Sequence, residues 1–232
     1  MITEPHLKLN IVLILNVAFL QLFTLVKPAV SLEAESSFNL NITHTESTRL
    51  YNDVAVNTRV SSVTAYRSER LSEFLAGSII IGYQEQVQDD NLIPAARYAV
   101  GYFAGVNFNY DLFRTSNNRL NIMTQYQYHI LRGDDADQKI TVNWYDISVG
   151  IGNFYRLTER LQLLADVSYT ELLGNERALE PLSQTIEFKN ETNVSYGVGV
   201  AYHINANGYV AIKWLDGAQQ GFRFFLATNL SW

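Results

Sequence analysis

Cysteine is absent from the 232-residue chain, and charged residues are scarce, at 17% of the total. The lack of thiols excludes disulfides, thiolate metal ligands and cysteine nucleophiles. Ordinary soluble domains carry roughly a quarter charged residues, so the deficit indicates that part of the surface faces something other than water. The net charge is −6 and no run of lysine or arginine occurs, which argues against nucleic acid as a partner.

Long apolar runs are confined to the N-terminus, where residues 11–26 are apolar apart from three polar positions. This run is too short and too interrupted for a membrane helix of about 20 apolar residues. It is typical of the hydrophobic region of a signal peptide. We therefore expect residues 1–31 to be a signal peptide cleaved after Ser31, with Ala34 as the alternative position. A buried helix or a retained anchor is the competing interpretation.

From Leu75 to Trp232 the chain alternates apolar residues with small or polar ones at a period of two, which is the pattern of a β-strand with two different faces. Strands are predicted at residues 75–83, 98–110, 120–130, 145–155, 161–169, 194–204, 209–215 and 222–232. The clearest case is residues 98–110, where one face carries Tyr98, Val100, Tyr102, Ala104, Val106, Phe108 and Tyr110, and the other carries Ala99, Gly101, Phe103, Gly105, Asn107 and Asn109.

Two arrangements of these strands have opposite consequences for the apolar face. A soluble sandwich or lipocalin-like barrel turns that face inward, whereas a membrane barrel turns it toward lipid. The less apolar face consists mainly of Gly, Ala, Ser and Asn, which fit a narrow lumen, and no second layer is available to cover the aromatic face. The chain also has 14 tyrosines, many at predicted strand ends, where membrane interfaces favour them. We therefore predict a membrane barrel.

The leader, the alternating strands and the final Leu230-Ser231-Trp232 together resemble small bacterial outer-membrane β-barrel proteins of the OmpA, OmpX and OmpW type, and solitary autotransporter-like barrels. The resemblance implies an all-β, transmembrane, antiparallel up-and-down barrel in a Gram-negative outer membrane, surrounded by outer-membrane lipids and lipopolysaccharide. It also implies that Leu230 and Trp232 form the signal read by the barrel-assembly machinery. Ala227 departs from the glycine that is usual in that strand.

The number of strands depends on residues 32–72, an N-terminal extension that precedes the barrel predicted for residues 73–232. An eight-stranded barrel is preferred, with the extension outside it. In the alternative, residues 32–72 contribute two more strands and the barrel has ten. A short amphipathic helix over residues 66–74 is a further possibility.

A polar network inside the lumen is predicted from the few charged and histidine residues on the inward face. Because an unpaired buried ion is costly, Arg223 is expected to bridge one of the aspartates and to occlude the lumen. No catalytic residue, metal ligand or cofactor is predicted. The predicted network consists of Arg223, Lys213, Asp146, Asp166, His129 and His203.

These features favour a non-enzymatic barrel with a plugged polar lumen that contributes to envelope integrity or surface interaction through its extracellular loops. The longest predicted outer loop, residues 171–191, is rich in apolar residues and is the expected recognition site, for a partner that the sequence does not identify. A narrow passive channel for ions or small solutes is the alternative. A lipid-modifying enzyme is the third hypothesis.

Overall fold

The computed structural model describes residues 36–89, 97–135, 138–178, 183–205 and 208–230. The predicted signal peptide and Trp232 lie outside these residues. Among the described residues, no helix is long and apolar enough to cross a membrane. Eleven strands make up most of the described chain: β1 (Ser36–Tyr51), β2 (Val54–Arg70), β3 (Leu75–Gln88), β4 (Tyr98–Arg114), β5 (Asn118–Asp135), β6 (Gln138–Arg156), β7 (Leu161–Ala178), β8 (Gln184–Asn190), β9 (Val194–Asn205), β10 (Gly208–Gly217) and β11 (Gln220–Leu230).

The strands form one antiparallel sheet that closes on itself. Each strand from β1 to β7 pairs with its neighbour in sequence, β7 pairs with β9, and β9, β10 and β11 follow in order. The ring closes because Ser36–Glu46 of β1 pairs with β11. Among the described residues this ring contains ten strands, so the preferred prediction of eight is wrong and the ten-stranded alternative is the correct one. The helix considered for residues 66–74 is also wrong, since β2 extends to Arg70.

The register of the ring defines how steeply its strands tilt. A path along register partners leaves β7 at Leu164, crosses β9, β10, β11 and then β1 to β6, and returns to β7 at Glu176. The two positions, 176 and 164, differ by twelve residues, which is the shear of the ring. With about 3.3 Å per residue along a strand and about 4.8 Å between strands, this shear corresponds to a tilt of about 40°.

A second and smaller ring lies at one end of the barrel, because β8 pairs both with β7 and with β1. The β10–β11 hairpin does not reach this level, since Gln220 at the start of β11 pairs with Glu46. A register path from Leu50 through β8, β7 and the intervening strands returns to β1 at Leu40, so this ring has eight strands and a shear of ten. The β8–β1 contact consists of three pairs: Arg49 with Asn190, Leu50 with Lys189, and Tyr51 with Phe188.

We call the end with the eight-stranded ring the outer end and the opposite end the periplasmic end, following the orientation predicted from the sequence. The β1–β2 hairpin at the outer end turns through Asn52 and Asp53, which have φ values of 47° and 68°. Two left-handed residues in a two-residue loop are typical of a type I′ turn. Asparagine and aspartate adopt this conformation more easily than other non-glycine residues.

The two faces of the ring differ as the alternation predicted. Large apolar side chains point outward and remain exposed, including Tyr102 at 71%, Ile79 at 66% and Trp214 at 60%. In water such a surface would be an extensive apolar patch of the kind that marks a membrane or protein interface. The inward face carries glycine, serine, asparagine and glutamine, together with a buried apolar cluster near the outer end.

Candidate functional site

A stack of aromatic rings and one guanidinium crosses the lumen near the outer end. The ring of His129 on β5 lies between those of Phe103 on β4 and Trp144 on β6, at centroid distances of 4.9 and 4.4 Å. The Arg49 guanidinium on β1 lies 4.6 Å from the Trp144 ring and 5.0 Å from the Phe188 ring. Phe188 in turn stacks on Tyr51 at 4.9 Å. We call these six residues the outer plug: Phe103, His129, Trp144, Arg49, Phe188 and Tyr51.

Hydrogen bonds from lumen glutamines hold the polar members of the outer plug. Arg49 Nη1 donates to Gln86 Oε1 at 2.8 Å. Gln88 Nε2 donates to the Tyr51 hydroxyl at 2.7 Å and to Glu176 Oε2 at 3.2 Å. Arg49 is only 2% exposed, so this network compensates part of the cost of burying its charge. The Trp144 and Phe188 rings beside the guanidinium add cation–π attraction.

Asp146 and Gln84 hold the His129 ring of the outer plug in place. His129 Nε2 lies 2.8 Å from Asp146 Oδ2, and Nδ1 lies 3.1 Å from Gln84 Oε1. Both ring nitrogens are therefore engaged, and the ring plane is held between Phe103 and Trp144. The sequence placed His129 and Asp146 in the lumen network, and the structure brings them together.

Buried apolar side chains form a cluster together with residues of the outer plug. Leu131, Ile140 and Val142 are no more than 1% exposed. Eight-stranded barrels have interiors just wide enough for their own side chains, and the plug lies where the ring narrows to eight strands. The buried apolar cluster consists of Tyr51, Val56, Ala99, Leu131, Ile140, Val142, Trp144, Leu172, Ile186 and Phe188.

A second polar group lies in the ten-stranded part, closer to the periplasmic end. Lys213 Nζ donates to Asp166 Oδ2 at 2.8 Å. Arg223 is the register partner of Lys213 on the neighbouring strand. Within the described residues Asp166 pairs with Lys213 and Asp146 pairs with His129, so the prediction that Arg223 bridges an aspartate is wrong. The buried aromatic and charged side chains that meet inside the lumen are those of the outer plug, near the other end of the barrel.

The remaining predicted network residue, His203, lies apart from both groups. Its Nε2 is 3.5 Å from Gln162 Oε1, and its ring lies 5.5 Å from that of Tyr209. Near the same end, Arg119 donates to Asp111 at 2.6 Å. Among the described residues no group of histidine, aspartate and glutamate side chains is arranged to hold a metal ion.

Arg49, Tyr51 and Phe188 of the outer plug were missed by the sequence analysis for two reasons. Arg49 and Tyr51 lie in the segment that the preferred interpretation left outside the barrel. Phe188, together with the nearby Glu176, lies in residues 171–191, which were predicted as a loop. That prediction is wrong, because β7 continues to Ala178 and β8 begins at Gln184.

No protein-family model and no curated protein matches the chain. Solved structures do match it. The outer membrane protease OmpT of Escherichia coli has a TM-score of 0.52 at 12% identity, covering 88% of this chain and 98% of that one. The translocator domain of the autotransporter NalP from Neisseria meningitidis scores 0.47 at 11% identity, with coverage of 89% and 91%. The COG4313 outer membrane channel from Pseudomonas putida scores 0.44 at 9% identity, with coverage of 88% and 99%.

The closed antiparallel ring with an apolar outer belt and a polar lumen defines a transmembrane β-barrel. The likeness to OmpT, at 12% identity, concerns the fold alone. The chain has the fold of bacterial outer-membrane β-barrel proteins, as the sequence predicted.

Proposed function

We propose that this protein is a non-enzymatic barrel of the Gram-negative outer membrane whose lumen is closed at the outer end. It contributes to envelope integrity and surface interaction through the part of its wall that rises above the lipid. The observation that carries this proposal is the outer plug, which fills the lumen where the ring narrows. The apolar belt on the outward face supports the membrane location.

The alternative of a passive channel predicts a different electrical behaviour. We expect the purified full chain in planar lipid bilayers to show no stable unitary conductance, because Arg49, Trp144 and Phe188 pack against one another inside the lumen near the outer end. The double variant Arg49→Ala/Trp144→Ala removes the centre of the plug and is expected to show discrete steps.

Arg223→Ala is the matched control for this measurement, because it removes an inward arginine from the wider part of the lumen. It is expected to remain silent. Stable unitary steps in the unaltered protein would contradict the closed-lumen proposal and support a channel. Heat-dependent migration in SDS gels identifies the folded barrel for each variant before recording.

The hypothesis of a lipid-modifying enzyme has one observation in its favour. His44 Nδ1 lies 2.9 Å from Ser61 Oγ on the exposed outward face. A serine nucleophile needs a base that is itself oriented by a third group, and no described carboxylate forms a hydrogen bond with His44. Inside the barrel, both nitrogens of His129 are already engaged. These arrangements support a non-enzymatic role.

Three exposed cations near the outer end of the barrel support a contact with lipopolysaccharide. Arg132 and Arg177 are both aligned with Thr141, and Lys139 lies two residues from Thr141 on the same outward face. None of the three takes part in an ion pair with a described side chain. Lysine and arginine are the residues that bind phosphate groups. The phosphates of lipopolysaccharide are therefore the proposed partner of this surface.

Replacing these three cations by glutamine is expected to lower the stabilisation of the folded barrel by added lipopolysaccharide. The measurement is the temperature at which the heat-dependent gel shift occurs, with and without lipopolysaccharide. The control replaces Arg67, Arg114 and Arg156 by glutamine, which makes the same charge change at the periplasmic end. Equal losses in the two triple variants would show that general charge, rather than this surface, is responsible.

A further inference from the structure

Two cations lie side by side on the inward face of the ten-stranded ring, and one carboxylate pairs with one of them. Lys213 and Arg223 are direct register partners on β10 and β11. Like charges placed directly opposite each other on neighbouring strands destabilise a sheet. Asp166 contacts Lys213 at 2.8 Å and neutralises one of the two positive charges. One positive charge is left without a counterion among the described residues.

The Arg223 side chain lacks a hydrogen-bond partner at its Nε as well as a counterion. Its Nε is buried and has no hydrogen-bond partner among the described residues. The guanidinium carbon of Arg223 and the Nζ of Lys213 each lie 6.0 Å from the Phe225 ring. An aromatic face attracts a cation weakly at this distance, but it neutralises no charge. Buried polar groups normally form hydrogen bonds, so the Arg223 Nε is available to donate to an acceptor oxygen.

The register partners that flank the two cations are small residues. The register partner of Lys213 on the other side is Gly199, and the register partner of Arg223 is Thr43. Neither position places a large side chain beside the cations. The side chains of Lys213 and Asp166 are 11% and 13% exposed, so the ion pair is partly accessible to the lumen and not sealed in a core.

We propose that Lys213 and Arg223 form a binding site for a small oxyanion, whose phosphate or carboxylate oxygens accept hydrogen bonds from both side chains. Arginine presents a planar fork that matches such groups, and lysine adds a compact positive charge. Asp166 competes with the anion for Lys213. The site itself is independent of the proposed closure at the outer end. Only the direction of entry rests on that closure, since a closed outer end leaves the periplasmic mouth as the route.

Isothermal titration of the detergent-solubilised full chain with inorganic phosphate, at constant ionic strength against chloride, tests the site. We expect saturable binding of one phosphate per chain. Arg223→Met and Lys213→Met are each expected to weaken it about tenfold or more, since a charge-assisted hydrogen bond is lost. Asp166→Asn is expected to tighten binding, because the competing carboxylate is removed. A purely structural role for the three residues does not predict that gain.

Arg67→Met removes an exposed arginine on the outward face and serves as the control that leaves phosphate binding unchanged. Sulfate and acetate, titrated separately, distinguish a general oxyanion site from one selective for phosphate. Absence of saturable binding in the unaltered protein, or equal binding in all variants, would overturn the proposal. Because both mouths are accessible in micelles, either result leaves the closed-lumen proposal to be decided by conductance alone.

Discussion

Replacing Arg49 by methionine is expected to lower the free energy of unfolding by about 2–3 kcal/mol, because the buried Gln86 amide oxygen loses a charged hydrogen-bond donor. Arg49 and Glu176, two residues of opposite charge, are both buried in this part of the lumen. Methionine retains an apolar stem beside Trp144 and Phe188, so the loss reports charge and hydrogen bonding rather than a cavity. Urea unfolding in lipid vesicles, followed by tryptophan fluorescence, measures the change.

Two further variants separate this effect from a general loss of positive charge. Arg59→Met removes an arginine that pairs with Asp89 at 2.6 Å, but with its side chain 45% exposed. Such surface pairs contribute about 0–1 kcal/mol. Adding Glu176→Gln to Arg49→Met is expected to recover part of the loss, because the buried Glu176 charge is then removed together with the opposite charge of Arg49. A double variant less stable than Arg49→Met would contradict the coupling between the two residues.

Trp144→Ala is the second change with a large expected effect, about 3–5 kcal/mol, because it leaves a cavity at the centre of the outer plug. Trp144 is 3% exposed and contacts His129, Arg49 and Phe188. The matched control is Trp214→Ala, which removes the same side chain from the lipid face, where it is 60% exposed. Equal losses in urea unfolding would show that the packing around Trp144 is not tight.

The strands within the membrane belt were predictable because their two faces differ sharply. In β4 and β9 bulky apolar residues alternate with small ones throughout, and a one-residue error of register would place every side chain on the wrong face. In β1 the outward residues are apolar only as far as Ile42. The next two outward residues, His44 and Glu46, are polar. The alternation of apolar and polar residues therefore ends there, although β1 continues to Tyr51. This short apolar pattern left residues 32–72 undecided.

The outer parts of β7 and β8 were misread for a related reason, since their pattern is inverted. Above the belt the apolar residues Leu172, Ile186 and Phe188 point into the lumen, whereas Glu187 and Lys189 point outward to solvent. This is the arrangement of a soluble barrel. Along β7 the apolar residues change from the outward face to the inward face. The alternation is therefore interrupted, and the sequence indicated an apolar loop instead of a continuous strand.

The composition of the candidate site was partly predictable, but its pairing was not. Inward parity predicted that His129, Asp146, Asp166, Lys213 and Arg223 lie on the lumen face, and the structure has His129 beside Asp146 and Lys213 beside both Asp166 and Arg223. The assignment of Asp166 to Lys213 depends on the registers of β7 with β9 and of β9 with β10, which the alternation of apolar and polar residues does not give. Arg49 carried no signal of its own, because a single arginine in a polar segment is ordinarily a solvated residue.

Strand β1 closes the barrel twice, because it pairs with β11 in the ten-stranded ring and with β8 in the eight-stranded ring. Both closures join distant parts of the chain. Residue 36 pairs with residue 230, and residue 49 pairs with residue 190. Contacts of such long sequence separation form late and slowly. Until they form, β1 presents an unpaired edge that invites association with other chains. Because β1 takes part in both closures, its free edge has to be kept from other chains until β8 and the β10–β11 hairpin have paired with it.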